Sequence, residues 1–563
     1  MCLLYYGLLA YQALNPTSLH QELPAWLPRS DNTLPDDSMI IIPPMTSLLS
    51  FTYDSHPRGY CEDNPTLRAA CNLTTVRQAQ VYGVLHCSPQ LEKLSLTIAI
   101  EGPWDTPLLA AAISTMVNLQ ILNIEAFLGF ELIPTIVACC PPSLITLDIS
   151  FESPSWSDYY EYELEGYKSE EEQEADAEAV RRFMPLLGQE NGVLIVPRQG
   201  HLGRLLQLGV TDFAFLTVEE ILSVFKQCPN LTNVYSLMLS RDVDHLDIVK
   251  CIGEHCPKVN RLVHFDSRLD PQLIMDVLSA LPTHTVQTFI CRGLDKSSTD
   301  LASRLLRHSA SLCEISLHSY QHFSSKAIQS ILVHCQALET FSCQSPVLET
   351  KFDLADAIEL PWASTRLKCL RLLIAMDYTE HGNEGPFYKR LPLTNLTAAE
   401  YRRTIMLEKL YHQIGTLVNL DTLHMRLFVP EYRAVVALRA ENETLFPGGR
   451  PDYPSLTGIS FPGMLSLPRE NSDRLGYLHL LAGLKKLRML RGVTVADSNE
   501  TIKLIEQPEV EWIAQNWSSL EHVPFFRDPQ SGQPGPQPKP SCFLWLREQM
   551  PLLKMDLECN DSN

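Results

Sequence analysis

Apolar residues recur along this chain in a short motif of the form apolar-x-x-apolar-x-apolar. One clear copy contains Leu91, Leu94 and Leu96. A period of two in a short apolar run predicts a β-strand whose apolar side chains share one face. The first apolar positions of the copies are Leu91, Leu119, Leu144, Leu231, Val259, Val286, Leu312, Leu338, Leu367, Leu420, Leu456, Leu487 and Leu520.

The spacing of these copies is typical of leucine-rich repeats, which have a period of about 20–29 residues. Successive first positions are 28 and 25 residues apart from Leu91 to Leu144, and 28, 27, 26, 26 and 29 apart from Leu231 to Leu367. The step of 53 residues from Leu367 to Leu420 indicates two periods with one degenerate copy between them. The later steps of 36, 31 and 33 indicate insertions or a shifted register.

A helical pattern precedes several of the predicted strands. Before Leu231, apolar residues at Val218, Ile221, Leu222 and Phe225 form a stripe of period 3.6. Similar segments precede Val259, Leu312 and Leu338. Each repeat is therefore predicted to be a strand, a loop and a helix, and stacking of repeats buries what one repeat leaves exposed. The predicted fold is an α/β leucine-rich-repeat solenoid, or horseshoe, with a parallel sheet on the concave wall and helices on the convex wall.

The period divides the chain into three regions. Residues 84–525 are predicted to form the solenoid, and residues 1–83 an N-terminal cap or degenerate repeats. Residues 526–563 contain a proline-rich and glycine-rich loop, Arg527–Pro540, and then an apolar segment, Cys542–Leu557. We expect that apolar segment to be the C-terminal cap, because an end repeat must cover the last coil.

The period breaks after Ile149, where we predict an acidic insertion at residues 152–198. Within it, Ser157–Glu178 is strongly acidic and unsuited to packing. This segment is either a solvated loop, or a contact for a basic partner, or a regulatory segment. The array resumes near Leu202–Leu208, with its first apolar position at Leu202, 29 residues before Leu231. A second insertion is predicted at Tyr378–Leu393.

Charge and cysteine content narrow the classes of partner. The chain has 563 residues and a formal net charge of −21, so its long-range field repels nucleic acid and anionic lipid. The 16 cysteines contain no C-x-x-C pair and are interpreted as reduced, mostly buried thiols of a cytoplasmic or nuclear protein. The apolar segment Met1–Leu14 lacks a basic start and is too short to span a bilayer, so we predict a structural element there.

Sequence motifs for catalysis or for a cofactor are missing. The chain has no G-x-x-x-x-G-K-[ST], G-x-G-x-x-G, H-E-x-x-H or G-x-S-x-G motif. A recurring His-Cys pair could suggest zinc, but its copies are several repeats apart and each precedes a strand. We therefore interpret these pairs as helix-end residues with the thiol buried between coils. The pairs are His86-Cys87, His255-Cys256 and His334-Cys335.

No enzyme activity, cofactor or metal is expected from these patterns. The basic residues Lys485, Lys486, Arg488 and Arg491 are close together in sequence. They are either a small anion site or, in so acidic a chain, an exposed face near a strand.

The segments CPNLTNV, CPKVNRLVH and, more loosely, HCQALETFS resemble the cysteine-containing leucine-rich repeats of F-box proteins. This resemblance implies the substrate-recognition part of an SCF-type ubiquitin ligase, with a Skp-type adaptor and a cullin as partners. The F-box itself is not recognisable, because Leu23-Pro24 and Leu34-Pro35 are followed by further prolines rather than by helical spacing. The alternative is a stand-alone protein-interaction scaffold. An enzyme or enzyme activator on a repeat scaffold is a third hypothesis.

A protein partner is expected on the concave face. The candidate contact residues are the variable positions beside the inward leucines. They are Glu92, Lys93, Ser95, Gln120, Asn123, Thr232, Asn233, Asn260, Arg261, Glu314, Ser316, Glu339, Thr340 and Ser342.

Overall fold

The fold was analysed in a computed structural model of the whole chain. The structure describes residues 18–22, 49–54, 85, 88–98, 106–126, 133–150, 198, 200–210, 216–235, 237, 239, 245–266, 271–292, 298–318, 323–343, 351–375, 398–428, 463–468, 476–491, 505–526 and 541–556.

The chain forms two compact units, Met1–Pro282 and Thr283–Asn563. In the first unit the described strands are β1 (Ser18–Glu22), β2 (Ser50–Asp54), β3 (Lys93–Ile98), β4 (Ile121–Ala126), β5 (Thr146–Ser150), β6 (Gln207–Val210), β7 (Asn233–Tyr235) and β8 (Arg261–Asp266). Its described helices are α1 (Thr106–Thr115), α2 (Ile133–Cys139), α3 (Val218–Lys226), α4 (Leu246–His255) and α5 (Pro271–Ala280).

The second unit continues the alternation of strands and helices. Its described strands are β9 (Thr288–Arg292), β10 (Glu314–His318), β11 (Thr340–Cys343), β12 (Phe352–Asp353), β13 (Cys369–Ala375), β14 (Thr422–Phe428), β15 (Met489–Arg491), β16 (His522–Phe526) and β17 (Lys554–Asp556). Its described helices are α6 (Ser298–Leu306), α7 (Ser325–His334), α8 (Leu354–Ala357), α9 (Ala398–Gly415), α10 (Gln507–Asn516) and α11 (Ser541–Gln549), with a short 3₁₀ helix at Leu478–Leu481.

All the strand pairs are parallel. In the first unit each strand from β1 to β8 pairs with the next. In the second unit the order is β9, β10, β11, β13, β14, β15, β16 and β17, and β12 pairs with the far end of β13. Parallel strands need crossover connections, and the helices lie in those connections. The predicted α/β solenoid fold is confirmed in both units.

The core lies between strands and helices, where the motif's apolar residues are buried. Leu94 of β3, Leu122 of β4 and Leu147 of β5 align in register, and each has no exposed surface. In the second unit Phe289 and Ile315 are equally buried. Burying a side chain of this size contributes about 1.5–3 kcal/mol. A slip of one residue would turn the leucines away from the helices, which is why the register is well defined.

The predicted helices before the strands are confirmed, and α3 shows how one begins. Thr217 is its N-cap, and its hydroxyl accepts a hydrogen bond from the Glu220 backbone N–H at 3.3 Å. The Glu220 carboxylate in turn accepts from the Thr217 backbone N–H at 2.8 Å. This reciprocal arrangement satisfies two donors at the helix start.

At the turn before several strands, a buried side chain connects successive repeats. Cys256 donates from Sγ to the carbonyl oxygens of Phe225 and Cys228, both at 3.4 Å, in the preceding repeat. Ser364 occupies the equivalent position, and its Oγ lies 2.9 Å from the Leu332 oxygen and 2.8 Å from the Cys335 oxygen. Carbonyls at a helix end have no partner within the helix. A side chain of the next repeat therefore supplies the missing hydrogen-bond donor.

One strand register was wrong in the sequence analysis. Leu208 of β6, rather than Leu205, aligns with Leu147 of β5, so the first apolar position of this repeat is Leu205 and not Leu202. The backbone N–H of Leu205 donates to the Leu202 oxygen, which makes Leu202 the turn residue. Both leucines are buried, so hydrophobicity alone did not distinguish the strand from the turn.

The degenerate copy predicted between Leu367 and Leu420 was also wrong. Strand β13 pairs with β14 directly, from Cys369 with Thr422 to Ala375 with Phe428, so no strand lies between them. The 18-residue helix α9 lies in this single long connection. The strand predicted at Leu456 lies outside the described residues, and β14 pairs directly with β15.

Several other predicted features lie outside the described residues. Strands β1 and β2 lie within residues 1–83, and α11 and β17 lie within residues 526–563. The features outside are Met1–Leu14, the His86-Cys87 pair, Ser157–Glu178, Tyr378–Leu393 and Arg527–Pro540.

Every cysteine that the structure describes is a free thiol. Of these, only Cys313 and Cys369 are partly exposed, and the others are buried. None of the described helices is both long enough and apolar enough to cross a membrane.

Candidate functional site

The candidate site is the side of each unit's sheet that faces away from the helices, here called the open face. Strand β5 shows the alternation that produces it, because Leu147 and Ile149 are buried whereas Thr146, Asp148 and Ser150 are half-buried. Successive side chains of a strand point to opposite faces. The positions between the leucines therefore form rows that cross the strands on the open face.

The first unit brings most of the predicted contact residues into these rows. Lys93 and Arg261 are exposed, and the other predicted positions are half-buried, apart from Asn233 at 6% exposure. Within the described residues, the amide oxygen of Asn233 accepts no hydrogen bond. The predicted residues in this unit are Glu92, Lys93, Ser95, Gln120, Asn123, Thr232, Asn233, Asn260 and Arg261.

The second unit holds Glu314, Ser316, Glu339, Thr340 and Ser342. Ser316 and Ser342 are buried, with 8% and 6% exposure, so they present little surface to a partner. Glu314 and Thr340 are half-buried and align in register. Glu339 precedes β11 and takes part in ion pairs.

Those ion pairs form a ladder across the residues that directly precede successive strands in the second unit. The Glu339 carboxylate accepts from Lys368 at 2.6 Å and from Arg366 at 2.8 Å. Further along, both carboxylate oxygens of Glu521 accept from the Arg488 guanidinium, at 2.9 and 2.8 Å. These cations hold the pKa values of the Glu339 and Glu521 carboxyls below their ordinary value, mainly through the hydrogen bonds.

This ladder decides whether the basic run Lys485, Lys486, Arg488 and Arg491 is a small anion site or an exposed face near a strand. Arg488 is paired with Glu521, and its Nε is also 3.8 Å from a carboxylate oxygen of Asp421. Lys486 donates to the amide oxygen of Asn419 at 2.7 Å. The run is thus an exposed region at the start of a strand, in which Arg488 is neutralised by neighbouring carboxylates.

The most distinctive polar group of the first unit was not predicted from the sequence. Asp148 of β5 aligns with Asn123 of β4 on one side and with Gly209 of β6 on the other, and Gly209 aligns with Tyr235 of β7. Burial raises the pKa of the Asp148 carboxyl above its ordinary value. The signal was present, because Asp148 stands between the apolar positions Leu147 and Ile149 of a recognised motif.

Arg371 and His424 of the second unit were missed in the same way, whereas Arg491 was named only as part of the basic group at residues 485–491. Arg371 of β13, His424 of β14 and Arg491 of β15 align in register on adjacent strands. Arg371 is exposed, and the other two are half-buried. Arg371, His424 and Arg491 thus lie on the open face beside the ladder of ion pairs.

The His-Cys pairs lie where a helix ends. His255 is the last residue of α4 and His334 the last of α7, and both are exposed, whereas Cys256 and Cys335 are fully buried. Burial raises the pKa of the Cys335 thiol to about 12. Among the residues that the structure describes, no group of three or more histidine, cysteine or acidic side chains could hold a metal ion.

A polar cluster on the helix side was not predicted either. His245, at the start of α4, approaches Asp276 of α5 to 3.1 Å, and Asp276 also accepts from the amide of Gln272 at 2.8 Å. The cluster joins two neighbouring helices, which is a structural role.

No protein-family model matches this chain, and a search of curated proteins finds no match. Function is therefore inferred from the geometry of the repeats and from the chemistry of the open face.

Proposed function

We propose that this chain is a protein-binding scaffold that holds its partner on the open face of its parallel sheets. The observation that carries this proposal is the alternation of buried apolar and half-exposed polar side chains along strands such as β5. Parallel sheets are normally covered on both faces. Here, helices cover one face, and the other presents polar and charged groups in regular rows.

The polar composition of this face supports a protein partner rather than a small molecule. Small-molecule sites are concave, mostly apolar and lined by few polar groups. The described open face instead distributes Lys93, Asn123 and Asp148 over adjacent strands in the first unit. Such rows suit a large partner that makes many separate contacts.

The test is affinity capture with the full chain and charge-reversed variants. We expect Lys93→Glu with Arg261→Glu, or Arg371→Glu in the second unit, to lose proteins that the unmodified chain captures. The control variants Lys250→Glu and Lys326→Glu change exposed lysines on helices α4 and α7 and should retain them. Equal capture by open-face and helix variants would contradict binding through this face.

A finer proposal is that the chain is the substrate-recognition part of an SCF-type ubiquitin ligase. Its support is the resemblance of the repeats around Cys228 and Cys256 to those of F-box proteins. The same capture experiment tests it, because a Skp-type adaptor and a cullin should be recovered together with the partner. Recovery of a partner without either protein would favour the stand-alone scaffold.

A further inference from the structure

The carboxylate of Asp148 occupies an unusual place on the open face of the first unit. A methyl group added at Gly209 would lie 2.5 Å from Asp148 Oδ1 and 3.5 Å from Tyr235 Cβ. The carboxylate therefore lies over the bare backbone of Gly209, and Tyr235 lies on the other side of that glycine. Any larger residue at Gly209 would displace it.

This position withdraws the Asp148 carboxylate partly from water. Partial burial raises the pKa of this carboxyl above its ordinary value. Among the described residues, none donates a hydrogen bond to Asp148 or pairs with it, whereas Glu339 and Glu521 on the same kind of face each have a cation. A partly buried charge without a partner destabilises a fold.

The fold itself does not require an acid at this position. The equivalent residues of the two preceding strands are Ser95 and Asn123, which are neutral. Unpaired charges that burial has perturbed are concentrated at functional sites, where the missing partner is a ligand. The group that would compensate Asp148 is a cation.

We propose that Asp148, Gly209 and Tyr235 form a binding site for a basic side chain of the bound protein, and that arginine fits this site best. This inference rests on the proposed scaffold function and names the chemistry of the partner. The guanidinium would donate to the carboxylate, while the half-exposed Tyr235 ring offers a face for a cation–π contact. The net charge of −21 favours approach of a basic partner.

The test uses N-acetyl-argininamide as the probe and N-acetyl-citrullinamide as its neutral analogue. Saturation-transfer NMR on the full chain should show saturable binding of the arginine compound and not of the citrulline compound. Asp148→Asn should weaken that binding about tenfold, which corresponds to about 1.4 kcal/mol, because it removes the charge from a charge-assisted hydrogen bond. Glu254→Gln is the matched control, because it removes one charge from an exposed residue of helix α4 in the same unit and should leave binding unchanged.

A second variant and a stability measurement guard against a folding artefact. Gly209→Ala should also weaken binding, because it displaces the carboxylate. Asp148→Asn should leave the thermal midpoint of the free chain unchanged or raise it, since it removes an uncompensated charge. Loss of binding together with a lower midpoint would mark a merely structural effect and overturn the proposal.

Two outcomes with the probe would also overturn it: the absence of saturable binding by the unmodified chain, and equal binding by Asp148→Asn. If capture of a protein still depended on Lys93 and Arg261, the proposed scaffold function would stand. Only the proposed binding site for a basic side chain would be rejected.

Discussion

The side chain of Arg198 joins two repeats where the chain returns after the acidic insertion. Its guanidinium donates to the carbonyl oxygens of Val137 at 3.0 Å and Cys140 at 2.6 Å, at the end of α2. It also donates to the amide oxygen of Gln227, which follows α3. A cation at a helix C-terminus satisfies free carbonyls and interacts favourably with the helix dipole.

Replacing Arg198 with methionine should destabilise the first unit by about 2 kcal/mol, because several charge-assisted hydrogen bonds are lost together. Urea unfolding of the full chain measures this as a lower midpoint. Arg198→Lys should recover only part of the loss, since an ammonium cannot reproduce the forked geometry. Arg204→Met is the control, because Arg204 is exposed. Equal midpoints for the variants at Arg198 and Arg204 would contradict this role.

At the scale of single residues, periodicity predicted which side of a strand each residue faces but not what its side chain does there. The motif places Asp148 and Ser316 on the open face by the same rule. Yet the Asp148 carboxylate lies over Gly209, and Ser316 is 8% exposed. Both outcomes depend on residues of other strands, which are distant in sequence. Arg198 belongs to no repeating pattern, so its role had no signal.

At the scale of the element, the turn before a strand carries a buried side chain, and in several repeats that side chain bonds to the preceding repeat. Cys256 and Ser364 do so, as does Trp517, whose indole N–H donates to the Leu481 oxygen at 3.2 Å, whereas the Cys228 thiol donates to Val224 of its own helix. Chemically different residues thus perform one task. The cysteine pattern in the sequence predicted buried thiols, but not the carbonyl groups that they meet.

The buried thiols predict a loss of stability at alkaline pH. Burial raises the pKa of Cys228 and Cys335 from 9.0 to about 12. In the unfolded chain these thiols ionise near their ordinary pKa, while the folded chain retains their protons until about pH 12. The contribution of these protonated thiols to the free energy of unfolding is therefore complete below about pH 9 and decreases as the pH rises above it.

The measurement is the thermal midpoint between about pH 8 and pH 9.5, where most tyrosine side chains keep their protons. Cys228→Ser with Cys335→Ser should reduce the alkaline decrease, because serine stays neutral there. Serine is compatible with this turn, as Ser88 and Ser364 show. A double variant with an unchanged pH dependence would exclude these thiols as the cause.

The boundaries of elements were predictable where helix and strand patterns alternated. Their prediction failed where two apolar segments were adjacent in sequence. Helices α3, α4, α6 and α7 were recognised from stripes of period 3.6. The error at Leu202 arose because the turn and the strand both bury leucines, so that only backbone pairing separates them.

At the scale of the whole molecule, the ladder of ion pairs is an electrostatic feature of the second unit. Arg488 stands between Asp421 and Glu521 on neighbouring strands. Arg488→Glu would place three carboxylates on successive strands. We expect a lower thermal midpoint at low ionic strength and a smaller difference at high salt, because exposed charges are screened.

The control for this prediction is Lys486→Glu, which makes the same change of charge at an exposed residue bonded only to the amide of Asn419 among the described contacts. It should have a smaller effect at low salt. A midpoint decrease for Arg488→Glu that did not respond to salt would indicate lost packing rather than lost ion pairing.

Direct pairing of β5 with β6, and of β13 with β14, allows the connections between these strands to vary in length. The first apolar positions of β5 and β6, Leu144 and Leu205, are 61 residues apart, yet their strands are neighbours. Closing a longer loop costs only about 0.6 kcal/mol for each doubling of its length. Segments inserted at these two connections can therefore lengthen, shorten or change composition over evolutionary time while every strand keeps its partners. New binding specificities can arise there without any change in the sheets.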